Sequence, residues 1–172
     1  MEENTEWFAI KTRQDFKAEE VLAESCEEIF FPKERIKMPG GKYREKATIP
    51  HVLFIRTTRD KALALEKDGR LSSVASIPFW IYRYPKSPDI QVIPQKSIDL
   101  MRLLTADDTA GCRIYTAENF TVDTRVKVTA GQYKGYEGFV KRIGKNRHVV
   151  VKIEGVCMVI LPFIHPDLLQ KL

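Results

Sequence analysis

The sequence predicts an α+β fold in two parts, an N-terminal α/β sandwich with a mostly antiparallel sheet and then a small C-terminal β-barrel. Three observations carry this. Apolar residues recur at alternating strand-like and helix-like spacing up to residue 106, whereas only short strand-like runs follow residue 121. Seven of the nine prolines lie at or before Pro94, and five of the nine glycines lie at or after Gly131. Between the two regimes, residues 107–121 (DDTAGCRIYTAENFT) are polar, rich in small residues and without either period, which reads as a linker. The expected boundaries are therefore 1–106, 107–121 and 122–172.

Each element has a local reason. Glu6 to Thr12 is apolar on much of both faces, as a central strand is. Asp15 is a predicted N-cap, and Val21, Leu22, Ser25, Cys26 and Ile29 follow on one helical stripe. Glu28 to Met38 reads as extended, turns at Pro39-Gly40-Gly41 and returns through Lys42 to Thr48, a long hairpin with bases on both arms. His51 to Ile55 is a short apolar strand behind Pro50. Asp60 to Lys67 reads as a second helix ended by Gly69. Pro94 to Thr105 carries Ile98, Met101 and Leu104 at helical spacing, with the proline in the first turn. Beyond the linker, Arg125–Thr129, Glu137–Ile143, His148–Glu154 and Val156–Pro162 are four short strands separated by glycine turns, the pattern of a small barrel.

Composition bounds the function. With 44% hydrophobic and 10% aromatic residues the chain can fill a core. Its 28 Lys+Arg against 23 Asp+Glu give a formal charge of +5, which makes nucleic acid a candidate partner. The start, MEENTEW, has no apolar core of a secretory signal, and the longest apolar stretch, Val156 to Ile164, falls short of the roughly 20 residues a membrane helix needs. A cytoplasmic protein that does not enter the membrane is expected. Cys26, Cys112 and Cys157 are far apart and form no CxxC pair, so neither a disulfide framework nor a zinc site is indicated. His51, His148 and His165 are solitary, and the default for each is a structural role. Trp7 and Trp80 read as core or sheet anchors. No phosphate loop, nucleophile elbow, HExxH or paired-carboxylate motif occurs, so no catalytic residue, cofactor or metal is expected.

The charge is unevenly spread. Asp15 to Glu28 holds six acids and one base, Lys33 to Lys46 six bases and two acids, and Arg125 to Lys152 eight bases and one acid. The hairpin alone carries +4, and a ribbon of this kind can follow phosphates, each neutralised phosphate releasing counterions. Arg35, Lys37, Lys42 and Arg44 are its candidate contacts; a ribbon that is only solubilising is the alternative. The glycines of Val126-x-Val128-x-x-Gly131-x-x-x-Gly135-x-x-Gly138-x-Val140 each have a physical assignment. Gly131 and Gly135 bracket a tight loop that calls for positive φ, and Gly138 inside a strand marks a bulge or a close backbone approach. A glycine-rich barrel of this kind leaves nucleic-acid binding and protein docking both open.

VKVTAGQYKGYEGFVKRI resembles a KOW motif, found in small barrels of ribosomal proteins and transcription elongation factors. EWFAIKTR with its acidic amphipathic helix, then FFPKERIK, the basic hairpin and PHVLFI, resembles the N-terminal domain of NusG-family factors. The two occur in the family's order over about 160 residues, which identifies the chain as similar to NusG-type elongation and antitermination factors. His51 and Val52 stand where that family usually has Gly and Tyr, and the tail GVCMVILPFI lacks a polar turn common in general NusG. These departures make it look like a specialised paralogue of the RfaH or UpxY group, the latter serving capsular polysaccharide operons.

The resemblance implies a factor that binds RNA polymerase through its N-terminal domain and suppresses pausing or termination. Val52 and Phe54, with Pro50 on the same strand face, align with the family's polymerase contact. From residues alone, a central strand buried on both sides is the favoured reading. The resemblance further places the hairpin near upstream DNA at the transcription bubble, and Arg13 at a position where specialised members touch non-template DNA. Gly131, Gly135 and Gly138 mark the KOW motif, and the resemblance gives its barrel termination factor Rho or a ribosomal small-subunit protein as partner, docked through an apolar loop edge. Phe139, Ile143 and Val159 are the candidates there and read equally as core. A ribosome-associated RNA-binding KOW protein is the alternative.

Overall fold

Glu6–Lys11 (β1) is the strand around which the first sheet is built. The structure, a computed structural model, describes residues 4–71, 77–106, 113–116, 124–143, 145–153 and 155–172. The chain separates into two compact units, Met1–Ile98 and Asp99–Leu172.

In the first unit β1 pairs antiparallel with Val52–Thr57 (β5) in a register running from Glu6↔Thr57 to Lys11↔Val52. Glu28–Phe30 (β2) covers the far edge of β5. Trp80–Ile81 (β6) and Val92–Ile93 (β7) share the other edge of β1. Because side chains alternate across a strand, Phe8, Ile10, Leu53 and Ile55 fall on one face. They join Ala18 and Leu22 of Asp15–Leu22 (α1) and Ala62 of Arg59–Leu71 (α2) in one apolar core. The opposite face carries Trp7, Ala9, Val52 and Phe54, which are buried as well. The sheet is thus covered on both sides at its centre.

Several elements differ from expectation for identifiable reasons. Asp15 is the first residue of α1 rather than its cap; one of its oxygens accepts the adjacent Phe16 N–H and the other is taken by His51. The helix ends at Leu22, so its buried stripe is Ala18 and Leu22, and Val21 faces solvent. The expected extended run from Glu28 divides at Pro32, after which Lys33–Lys37 (β3) leaves the sheet and pairs only with Tyr43–Ala47 (β4). Helix α2 runs through Gly69, since an internal glycine costs only about 1 kcal/mol against alanine. Gln95–Ala106 (α3) follows Pro94, whose carbonyl accepts the Ser97 N–H, and Ile98, Leu100, Met101 and Leu104 are fully buried. The division between the units falls inside this helix, ahead of the expected boundary at 106.

The second unit is a six-stranded antiparallel sheet. Its strands are Arg113–Thr116 (β8), Arg125–Val128 (β9), Glu137–Ile143 (β10), Asn146–Ile153 (β11), Cys157–Ile160 (β12) and Leu169–Lys171 (β13), in the order β13-β9-β10-β11-β12-β8. The four expected strands form its middle. The two outer ones have no counterpart in the sequence pattern, and β8 lies within the segment that reads as a linker, pairing Ile160↔Arg113 through Cys157↔Thr116. Four residues in a polar surround carry too short an alternation to read. The rest of the linker is outside the described residues. No pairing joins β13 to β8 among the described residues, so the described strands form an antiparallel sheet without the closure of the expected barrel. No described helix is long and apolar enough to cross a membrane.

Candidate nucleic-acid interface

The basic hairpin is rooted by its first residue. Lys33 Nζ donates to Glu19 Oε1 of α1 at 2.7 Å and lies 5.7 Å and 5.2 Å from the ring centroids of Phe16 and Phe31. Beyond that root the ribbon is held by its own pairing, and at the tip Gly40 and Gly41 adopt φ of +94° and +82°, which lets the Met38 N–H reach the Lys42 carbonyl. The register Arg35↔Glu45, Ile36↔Arg44 and Lys37↔Tyr43 sorts the cations by face. Arg35 and Lys37 share one face with Tyr43, whose ring centroid is 5.5 Å from the Arg35 guanidinium. Lys42 and Arg44 share the other. All four are exposed, and among the described residues none forms an ion pair.

A second constellation lies at the end of β1. Lys11, Thr12, Arg13, His51 and Trp80 line an open hollow of about 680 Å³. Lys11 and Trp80 are direct cross-strand partners, so they point to the same side of the sheet. Trp80 is 45% exposed, while Lys11, Arg13 and His51 are exposed too. The backbone around them is fixed. His51 has φ +67°, a left-handed conformation that costs a non-glycine residue roughly 1–2 kcal/mol. Its N–H donates to Asp15 Oδ2 at 3.0 Å and its carbonyl accepts the Thr12 N–H at 3.0 Å. The buried Thr12 hydroxyl donates to the Pro78 carbonyl at 3.0 Å. On the other side of Trp80, the buried Glu66 carboxylate accepts the Ile81 N–H at 2.6 Å and both Arg83 terminal nitrogens at 2.6 and 2.7 Å. This forked pair raises the Arg83 guanidinium above its ordinary value. Helix α1 therefore braces both features, the ribbon through Glu19 and the hollow through Asp15.

Such a hollow can stack a planar ring on the indole and neutralise phosphates with Lys11 and Arg13. Base–aromatic stacking is worth about 1–3 kcal/mol per base. From sequence, Arg13 alone of these residues stands out as a nucleic-acid contact. Trp80 reads there as an anchor and His51 as structural; the signal that places them is the Lys11↔Trp80 pairing, which no local pattern announces.

The apolar candidates fall differently. Pro50 is exposed in the turn before β5, but Val52 is 2% and Phe54 0% exposed, with the Phe30 ring 6.0 Å from that of Phe54. The reading of Val52 and Phe54 as a surface seat for a polymerase element is therefore corrected. They belong to a strand buried on both faces. Gly131 and Gly135 take φ of +85° and +90° in the β9–β10 turn. At Gly138 the pairing with Val126 is regular, and a Cβ would collide with the Val150 carbonyl oxygen, so close approach rather than a bulge explains the glycine.

No family model and no curated protein matches the chain. Among solved structures, NusG of Thermotoga maritima, described for its domain interaction, superposes with a TM-score of 0.43 at 16% identity over 98% of this chain and 97% of that one. The MjSpt4:Spt5 complex gives a TM-score of 0.29 at 15% identity over 96% and 95%. Both overlaps are weak in sequence and in superposition.

Proposed function

We propose that this chain is a transcription elongation or antitermination factor that engages nucleic acid where a duplex opens into single strands, in company with RNA polymerase. The observation that carries the reading is the Trp80 hollow with Lys11 and Arg13 on its rim. An exposed indole beside two cations suits an unpaired base and its phosphates, because a base inside a duplex offers no free face to stack on. The exposed ribbon of β3 and β4 supplies phosphate contacts that carry no sequence information. The transcription bubble presents both targets together. Stacking on the indole accepts any base, so the selectivity that an operon-specific factor requires, such as one acting at capsular polysaccharide loci, falls to Arg13 on the rim. Polymerase binding remains part of the proposal, without the seat at Val52 and Phe54, and Rho or a ribosomal small-subunit protein is its proposed partner for the second unit.

The test compares Trp80→Ala with the unaltered protein on a blunt DNA duplex, a single strand and a forked duplex. Loss of one stacked base predicts about tenfold weaker binding to single strand and fork, with duplex binding unchanged and Trp80→Phe retaining most of the affinity. Equal affinity of Trp80→Ala and the unaltered protein for the single strand would overturn the reading. Capture of polymerase subunits on the tagged protein after nuclease treatment tests the protein contact separately.

A further inference from the structure

Residues Arg142 and Arg147 stand directly opposite each other on β10 and β11. Cross-strand partners point to the same side of the sheet, and like charges so placed are destabilising. Both side chains are exposed, and neither forms an ion pair or hydrogen bond among the described residues. With Thr124, Val140 and Lys171 they line an open hollow of about 650 Å³. The register puts Val140 and Arg142 on the same face as Val126, the partner of Lys171. The one acid between Arg125 and Lys152, Glu137, is on the opposite face, where it meets Arg125 at 3.1 Å. The hollow thus gathers three cations from three strands and a hydroxyl, with no carboxylate among its lining residues.

We infer that this hollow binds the phosphodiester backbone of a nucleic-acid strand, the two guanidiniums clamping phosphate and Lys171 adding a third contact. A bound oxyanion removes the repulsion between Arg142 and Arg147, and guanidinium forks match phosphate oxygens two at a time. No aromatic ring lines the site and Val140 is its one apolar side chain, so it grips backbone without reading bases. Nor is there an apolar recess for the side chains of an acidic peptide. The site lies wholly within the second unit and is independent of the Trp80 hollow.

The experiment measures binding of a fluorescent RNA of about 12 nucleotides, within the span a small single-strand site covers, and of DNA of the same sequence, across a salt series. It uses the full chain carrying Arg13→Gln and Trp80→Ala, so the other hollow does not contribute. Adding Arg142→Gln and Arg147→Gln is expected to weaken binding about tenfold at low salt. The slope of log affinity against log salt should fall by about 1.4, two cations at about 0.7 each on a single strand. Arg142→Lys with Arg147→Lys keeps the charge and should fall between. A loss with RNA alone, or with both strands, supports the site and assigns its source. Three results overturn it: no change on either strand, an equal loss from Lys127→Gln with Lys152→Gln on the opposite face, or equal competition by an acidic peptide of the same charge. Thermal unfolding keeps the result interpretable, because relieving the arginine pair should leave the melting temperature unchanged or higher.

Discussion

At Gly138 a methyl group would run into the Val150 carbonyl oxygen and stand 3.0 Å from Val149 Cγ1. Neither neighbour can yield easily, since one is backbone and the other is 1% exposed. Gly138→Ala should therefore destabilise the second unit by about 1–3 kcal/mol, the range for forcing extra volume into a packed interior. Gly131 gives the contrast: its φ is +85° but nothing lies within 4 Å of where an alanine methyl would stand, so Gly131→Ala should cost only the backbone strain of about 1–2 kcal/mol. Urea midpoints of the two variants check this, and a Gly138→Ala midpoint equal to that of the unaltered protein would remove the steric account. These glycines are legible in the sequence because positive φ and close approach are demands made within a few residues. Phe54 and Trp80 are not. Phe54 sits in a strand whose period is clear and Trp80 in a two-residue strand that shows none, and for both exposure depends on what lies across the sheet. Phe54 is closed over, while Trp80 sits at the sheet edge beside Lys11 and stays open.

The β3–β4 ribbon sets its own problem at the level of an element, because period-two alternation divides its cations between two faces. Arg35 and Lys37 cannot touch the same flat surface as Lys42 and Arg44. A ribbon of this kind fits between two phosphate strands, each face meeting one. Replacing Arg35 and Lys37 by glutamine, or Lys42 and Arg44 by glutamine, should then lower the salt slope on a forked duplex by a similar amount, about 1.8 for two phosphates at about 0.9 each. If one pair carries the whole effect and the other none, the ribbon lies flat on a single strand and the two-sided reading is wrong. The hairpin, its turn and its basic character are all readable from Lys33 to Lys46, since composition and turn chemistry are local. Its detachment from the main sheet is less so. Pro32, which has no N–H to donate, is the residue in the sequence that signals where the strand leaves. Strands β8 and β13 escape notice for the opposite reason: they are defined by partners distant in sequence rather than by any pattern of their own.

Among the described residues each unit holds one buried thiol, Cys26 in the first and Cys157 in the second, and this gives the molecule a predictable response to alkali. Burial pushes the Cys26 thiol up to about 11, with the Glu27 carboxylate adding to the effect, and the Cys157 thiol up to about 12. In the unfolded chain both titrate near 9. Above that pH the native state keeps protons that the unfolded state has released, so stability must fall as pH rises. The contribution of the neutral thiols is complete below pH 9 and is lost through about pH 11 for Cys26 and about pH 12 for Cys157, at roughly one kcal/mol per pH unit for each thiol while it titrates. In a Cys112→Ser background, a thiol reagent at about pH 8, below the ordinary thiol range, should find no reactive group in the native protein and two after unfolding. Cys26→Ala should flatten the decline between pH 9 and about 11, leaving the Cys157 component. Denaturant midpoints across that range decide it. A midpoint that holds constant from about pH 8 to about pH 11, or a native thiol that reacts at once in the mildly alkaline buffer, would mean that the packing around these cysteines is looser than their burial implies.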